Sequence, residues 1–89
     1  MDTPGGGPGA GLELPGVGDQ AERAMTAVGA LVLNLRREAG HSIGSLAAAA
    51  GLSPGLLSQI ERGQGNPSLT TLIKLSQALK VPVGRFFDT

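Results

Sequence analysis

Between residues 40 and 68 three glycine-to-serine steps separate the apolar runs: Gly40 then Ser42, Gly51 then Ser53-Pro54, Gly63 then Ser68. Glycine readily takes the left-handed conformation that ends helices, a serine hydroxyl accepts from the amides left open at a helix start, and proline suits the first helical position. This punctuation confines the chain to short helices, because each start signal arrives just after a stop. The apolar residues between these marks recur at three- and four-residue steps, and no stretch alternates as a strand would.

The periodicity predicts a first helix from about Ala21 to Ala39, with Met25, Val28, Val32, Leu35 and Ala39 inward. A second starts after Ser42 and carries Ile43, Leu46, Ala47 and Ala50 to Gly51. A third runs from Pro54 to about Arg62 on Leu56, Leu57 and Ile60. A fourth follows Ser68 with Leu69, Leu72, Ile73, Leu75, Ala78 and Leu79 inward, and Pro82 begins a short fifth turn through Phe87. Half of the first twenty residues are Gly or Pro, a composition too poor in apolar groups to offset the entropy of ordering. The expected organisation is a disordered tail over 1–20 and one all-α, five-helix domain over 21–89.

Charge follows the same division. Residues 1–22 hold Asp2, Glu13, Asp19 and Glu22 and no base. From Ala30 to Phe87, Arg36, Arg37, Arg62, Lys74, Lys80 and Arg85 face only Glu38 and Glu61, so a chain of net charge zero contains a basic domain. The absence of cysteine excludes disulfide scaffolds and thiolate metal sites and fits a reducing compartment. No apolar run approaches a membrane span and no signal-peptide order opens the chain, so the expected location is the cytoplasm, with no membrane partner. The Gly5-Gly6-Gly7-Pro8-Gly9 string has neither the preceding strand nor the following Gly-Lys-Ser/Thr of a phosphate loop. His41 is the sole histidine, better suited to the negative end of the first helix than to a metal. With no paired carboxylates at helical spacing in the basic part and no nucleophile beside a base, neither catalysis nor a cofactor is expected.

The junction of the second and third helices is the informative part. Two helices meeting steeply need a small residue where their backbones approach, a turn residue tolerant of positive φ, and apolar anchors beyond. Ala47, Gly51 four residues later, and Leu57 and Ile60 six and nine residues after Gly51 supply them. That spacing defines a helix-turn-helix and leaves Ser53, Pro54, Gly55, Ser58, Gln59 and Arg62 on the outer side of the third helix. Small and amide side chains there suit the major groove, where glutamine bonds adenine bidentately and apolar atoms meet thymine methyls.

The ordered string Leu35-Arg36-Arg37-Glu38-Ala39-Gly40, Leu46-Ala47, Ala50-Gly51-Leu52-Ser53-Pro54, Leu57-Ser58-Gln59-Ile60-Glu61-Arg62-Gly63, Asn66-Pro67-Ser68-Leu69, Leu72, and Ala78-Leu79 before Val81-Pro82 resembles the lambda-repressor-like, XRE-type helix-turn-helix family. The resemblance covers about Val28 to Asp88. It implies a structural ion pair between Arg36 and Glu61, base readout by Pro54, Gly55, Ser58, Gln59 and Arg62, and phosphate contact by Ser42, Ser53, Asn66 and Ser68. It implies a transcriptional regulator, in most cases a repressor, that binds double-stranded DNA as a homodimer on a pseudo-palindromic operator. Proteins with this pattern often continue into a cupin barrel, so a small-molecule ligand is expected only through such a C-terminal domain, beyond the point at which this chain stops.

Three features depart from the pattern. Leu31 and Leu33 stand where charge is frequent, Ile43 replaces a frequent glutamine, and Pro54-Gly55 give the third helix little hydrogen-bonding reach. Leu31 and Leu33 cannot both enter one small core beside Val32, which leaves a leucine surface for the tail or a partner. The same fold used as a protein-interaction module, an antitoxin or anti-regulator, is therefore the alternative. Phe86 and Phe87, the only aromatics, are expected to seal the core against the first helix, with a dimer seam or a following domain as their other use.

Overall fold

A computed structural model describes residues 17–87, which form helices α1 (Val17–Glu38), α2 (Ile43–Ala50), α3 (Pro54–Glu61) and α4 (Leu69–Leu79) and a terminal 3-10 helix, Val83–Phe87. Helix α1 begins at Val17 rather than near Ala21. The tail expected over 1–20 lies, through residue 16, outside the described residues, as do the last two positions of the domain expected over 21–89. Among the described residues the fold is all-α, with four α-helices and a 3-10 turn in place of a fifth.

Each short helix opens as its serine predicts. The Oγ of Ser42 accepts from Ser45 N at 3.0 Å, that of Ser53 from Leu56 N at 3.1 Å, and that of Ser68 from Thr71 N at 3.1 Å. Such caps contribute about 1 kcal/mol each. Helix α2 ends at Gly51 with φ 72°, and its amide and that of Leu52 reach back to the carbonyls of Ala48 and Ala47. A side chain at that φ would crowd the carbonyl that follows. The chain turns there, and α3 leaves at 111° to α2.

One core unites the elements: Val32 and Leu35 of α1, Leu46, Ala47 and Ala50 of α2, Leu57 and Ile60 of α3, Leu72, Leu75 and Leu79 of α4, and Phe86. Val32, Leu46, Leu57 and Leu75 are fully enclosed, and each contributes about 1.5–3 kcal/mol by leaving water.

Four expected inward residues are not inward. Leu69 is 59% exposed because it is the first residue of α4, and helical side chains lean toward the N-terminus, over the cap rather than the core. Ile73 is exposed since it lies about 100° around the helix from Leu72, while the buried stripe runs Leu72, Leu75, Ser76, Leu79. Ala39 follows the last residue of α1 and faces solvent. Leu56 is 37% exposed, on the flank between the inward Ile60 and the outward Gln59. Conversely Ser76 is buried, where its Oγ donates to the Ile73 carbonyl at 2.7 Å.

Candidate nucleic-acid interface

Helix α3 is held from one side only. Across its C-terminal end runs α1, and the approach is close enough that a Cβ built on Gly29 would lie 2.2 Å from the Ile60 carbonyl oxygen and 3.1 Å from that of Glu61. One turn earlier on the same face, Thr26 sits against Gly63, whose Cβ would fall 3.0 Å from Thr26 Oγ1. Two turns later on that face comes Arg36. Its Nε donates to Glu61 Oε2 at 2.7 Å and its Nη2 to Glu61 Oε1 at 3.0 Å, while Nη1 donates to the His41 carbonyl at 3.0 Å.

The two side chains of this fork-on-carboxylate pair are only 12% and 7% exposed. Bidentate geometry and a third acceptor offset the desolvation of the guanidinium. The Glu61 hydrogen bond, opposed by burial and aided by Glu61's charge, holds Arg36 above its ordinary pKa. A base with a raised folded-state pKa loses its contribution only as pH climbs through that value, so Arg36 stays charged and the pair is insensitive to Arg36 titration at neutral pH. Gly29 had a signal in the sequence that the apolar periodicity concealed: a mid-helix glycine costs about 1 kcal/mol against alanine and marks a close approach.

The opposite side of α3 is open. Pro54, Gly55, Gln59 and Arg62 are exposed, as expected, whereas Ser58, expected outward, is half-buried. A guanidinium nitrogen of Arg62 donates to Ser58 Oγ, so these two side chains are paired on the outer face rather than separately solvated. A Cβ on Gly55 would meet nothing within 4 Å. Ser42, Ser53 and Ser68 are exposed caps whose oxygens already accept from backbone amides. Ser68 Oγ also lies 3.0 Å from Thr71 Oγ1. Asn66 is exposed in the loop before α4. His41 Nδ1 lies 2.6 Å from Ser45 Oγ at the α1–α2 junction, a cross-junction contact.

Leu31 and Leu33 are both half-buried, Leu31 packing against the core. The two phenylalanines divide: Phe86 is buried and Phe87 is 57% exposed. With Met25, Val28, Leu31 and Pro67, they line a mainly apolar groove of about 380 Å³ between α1 and the 3-10 helix, bordered by Asn66 and Arg85. Among the described residues no group of His, Cys, Asp and Glu is placed to hold a metal ion, and no single helix is long and apolar enough to cross a membrane.

A short helix at 111° to its predecessor, anchored along one side and bare along the other, defines a helix-turn-helix domain. The chain belongs to the helix-turn-helix family HTH_3, whose model matches residues 32–86. It is 42% identical over 54 residues to the HTH-type transcriptional regulator SutR of Escherichia coli, covering 61% of this chain and 30% of that protein. Among solved structures, the master regulator for biofilm formation SinR in complex with DNA superposes with a TM-score of 0.66 at 40% identity, covering 68% of this chain and 98% of that one. The restriction-modification controller protein C.AhdI of Aeromonas hydrophila gives 0.71 at 32% identity, over 73% and 98%. The chain thus spans under a third of SutR's length and about three quarters of its own within the C.AhdI fold.

Proposed function

We propose that this chain is the sequence-specific, double-stranded DNA-binding part of a transcriptional regulator, a repressor that acts in the cytoplasm as a homodimer on a pseudo-palindromic operator. The observation that carries the reading is the one-sided anchoring of α3: its outer residues are free to enter a major groove while α1 fixes its C-terminal end. That this chain shares its fold and 40% of the aligned residues with SinR, whose structure contains DNA, supports it.

In this reading Gln59 pairs with an adenine, Pro54, Gly55 and Ser58 face base edges, and Arg62 reaches a base or phosphate. Ser42, Ser53, Asn66 and Ser68 set the register on the backbone, where helix N-termini favour phosphate. Exposed Arg37, Lys74, Lys80 and Arg85 add to the positive field. One such domain reads too few base pairs for a useful specificity, hence the two-fold operator with half-sites about one helical turn apart.

The test is selection from a randomised duplex library at moderate salt. A two-fold symmetric motif whose retention falls steeply with salt is the expected result; no retention of duplex at any salt overturns the reading. Gln59→Ala should relax preference at one base pair per half-site, and Arg62→Ala should weaken binding, both with an unchanged melting temperature. A second reading rests on the groove bordered by Leu31 and Phe87: docking of another protein there, as an antitoxin or anti-regulator would. Such docking would respond little to salt, and Phe87→Ser would abolish it while leaving duplex binding intact.

A further inference from the structure

The first turn of α3 is apolar and bare. Pro54 is at its first position, Gly55 has open space around its Cα, and Leu56, which the helical periodicity assigns to the core, is exposed to water instead. The inward direction of α3 is fixed by Leu57 and Ile60, fully and almost fully buried, and by Glu61 beneath Arg36. Relative to that direction Leu56 projects sideways, about 60° around the helix from the outward Gln59. Helical side chains lean toward the N-terminus, so Leu56 covers the surface beside Pro54 and Gly55. That is the end by which a recognition helix enters a groove.

None of these three residues offers a side-chain hydrogen bond, and nothing within the fold requires the glycine. A Gly55 side chain would meet no atom, yet glycine inside a helix is disfavoured against alanine. An apolar, low-relief surface one turn before a glutamine matches a single chemical feature of the major groove. Among the exposed base edges only thymine carries a methyl group.

The geometry points to Leu56 as a specificity-determining residue that packs on the 5-methyl group of a thymine, with Gly55 lowering the helix surface so that the base can come close. This rests on the DNA-binding reading above and deepens it: Pro54, Gly55 and Leu56 select a thymine beside the adenine read by Gln59, so each half-site contains an A/T step at this helix's N-terminal end.

The test exchanges the methyl group on the DNA rather than the protein fold. Duplexes enriched by the full chain are resynthesised with deoxyuridine in place of each thymine in turn, and dissociation constants are measured at fixed salt. Uracil keeps every hydrogen bond of thymine and lacks only the methyl. For the unaltered chain one thymine per half-site should show a loss of about fourfold, the value of one buried carbon group. Leu56→Ala, which removes the contact from both half-sites, should bind the thymine duplex about sixteenfold more weakly and show no further loss with uracil at that position. Its circular dichroism should match the parent chain. Uracil tolerated at every thymine by the unaltered chain would overturn the assignment, and so would a uracil effect that persists in full in Leu56→Ala. An enriched motif that lacks thymine beside adenine overturns the role of Leu56 while leaving DNA binding standing. Salt-sensitive retention of duplex with no enriched sequence overturns the role of Leu56 while leaving duplex binding standing, and no retention at any salt overturns both.

Discussion

The two ends of helix α3 are built on opposite principles. At the C-terminal end Ile60 and Glu61 lie under Gly29 with no room for a methyl group, Gly63 abuts Thr26, and Arg36 clamps Glu61 through two hydrogen bonds. At the N-terminal end Gly55 has only solvent above it and Leu56 is left partly uncovered, 37% exposed. Each end involves a helical glycine set against helix propensity, Gly29 of α1 packed on the C-terminal end and Gly55 of α3 itself at the other, but for different reasons. Gly29 serves contact within the molecule. Gly55 serves no contact within it. The difference teaches that a helix offered to a partner is held where the partner does not reach, and its free end is left lower and less polar than folding alone would favour.

Substitutions at the two glycines should therefore have opposite signs. Gly29→Ala forces a methyl group onto the Ile60 carbonyl, so α1 must lift from α3. The expected loss is about 3 kcal/mol or more, or some 4–8 °C in melting temperature per kcal/mol for a domain of this size. A thermal melt unchanged from the parent would break the comparison. Arg36→Ala comes next, at about 3 kcal/mol, because Glu61 would remain enclosed without its partner. Arg36→Ala combined with Glu61→Leu should be less destabilised than Arg36→Ala alone, which chemical denaturation of the set would reveal.

At the open end the effects are smaller and divide between stability and binding. Ser53→Ala removes the acceptor for the Leu56 amide and should cost about 1 kcal/mol. In the DNA-binding reading the loss of its phosphate contact also lowers affinity, with the salt dependence unchanged because a hydroxyl carries no charge. Gly55→Ala should raise stability by up to about 1 kcal/mol and at the same time weaken duplex binding, since the added methyl group stands where a base would approach. A variant both more stable and equally tight would remove the argument for a glycine that serves the partner.

Much of this was legible in the sequence because it is local. Ser42, Ser53 and Ser68 cap the helices they precede, and Gly51 makes the turn at positive φ. These depend on hydroxyl reach and backbone freedom within four residues. The pairing of Arg36 with Glu61, 25 residues apart, came from resemblance to a family and not from local chemistry. Periodicity was weakest at helix edges: it placed Leu56, Leu69 and Ile73 inward and passed over Ser76. A residue some 100° from the centre of a buried stripe is covered or bare according to what packs beside it, and a first-turn residue leans past the core altogether.

By itself, then, the sequence determined the helical segmentation, the steep turn between α2 and α3 and the family to which the chain belongs. These follow from short-range signals and from an ordered set of motifs. Only the tertiary structure decided that Gly29 is where α1 crosses α3, that Phe86 is buried while Phe87 is not, and that Leu56 faces water beside Gln59. Each depends on which surfaces of separate helices meet. That is settled by packing between residues distant in the chain, which no local pattern of apolar spacing encodes.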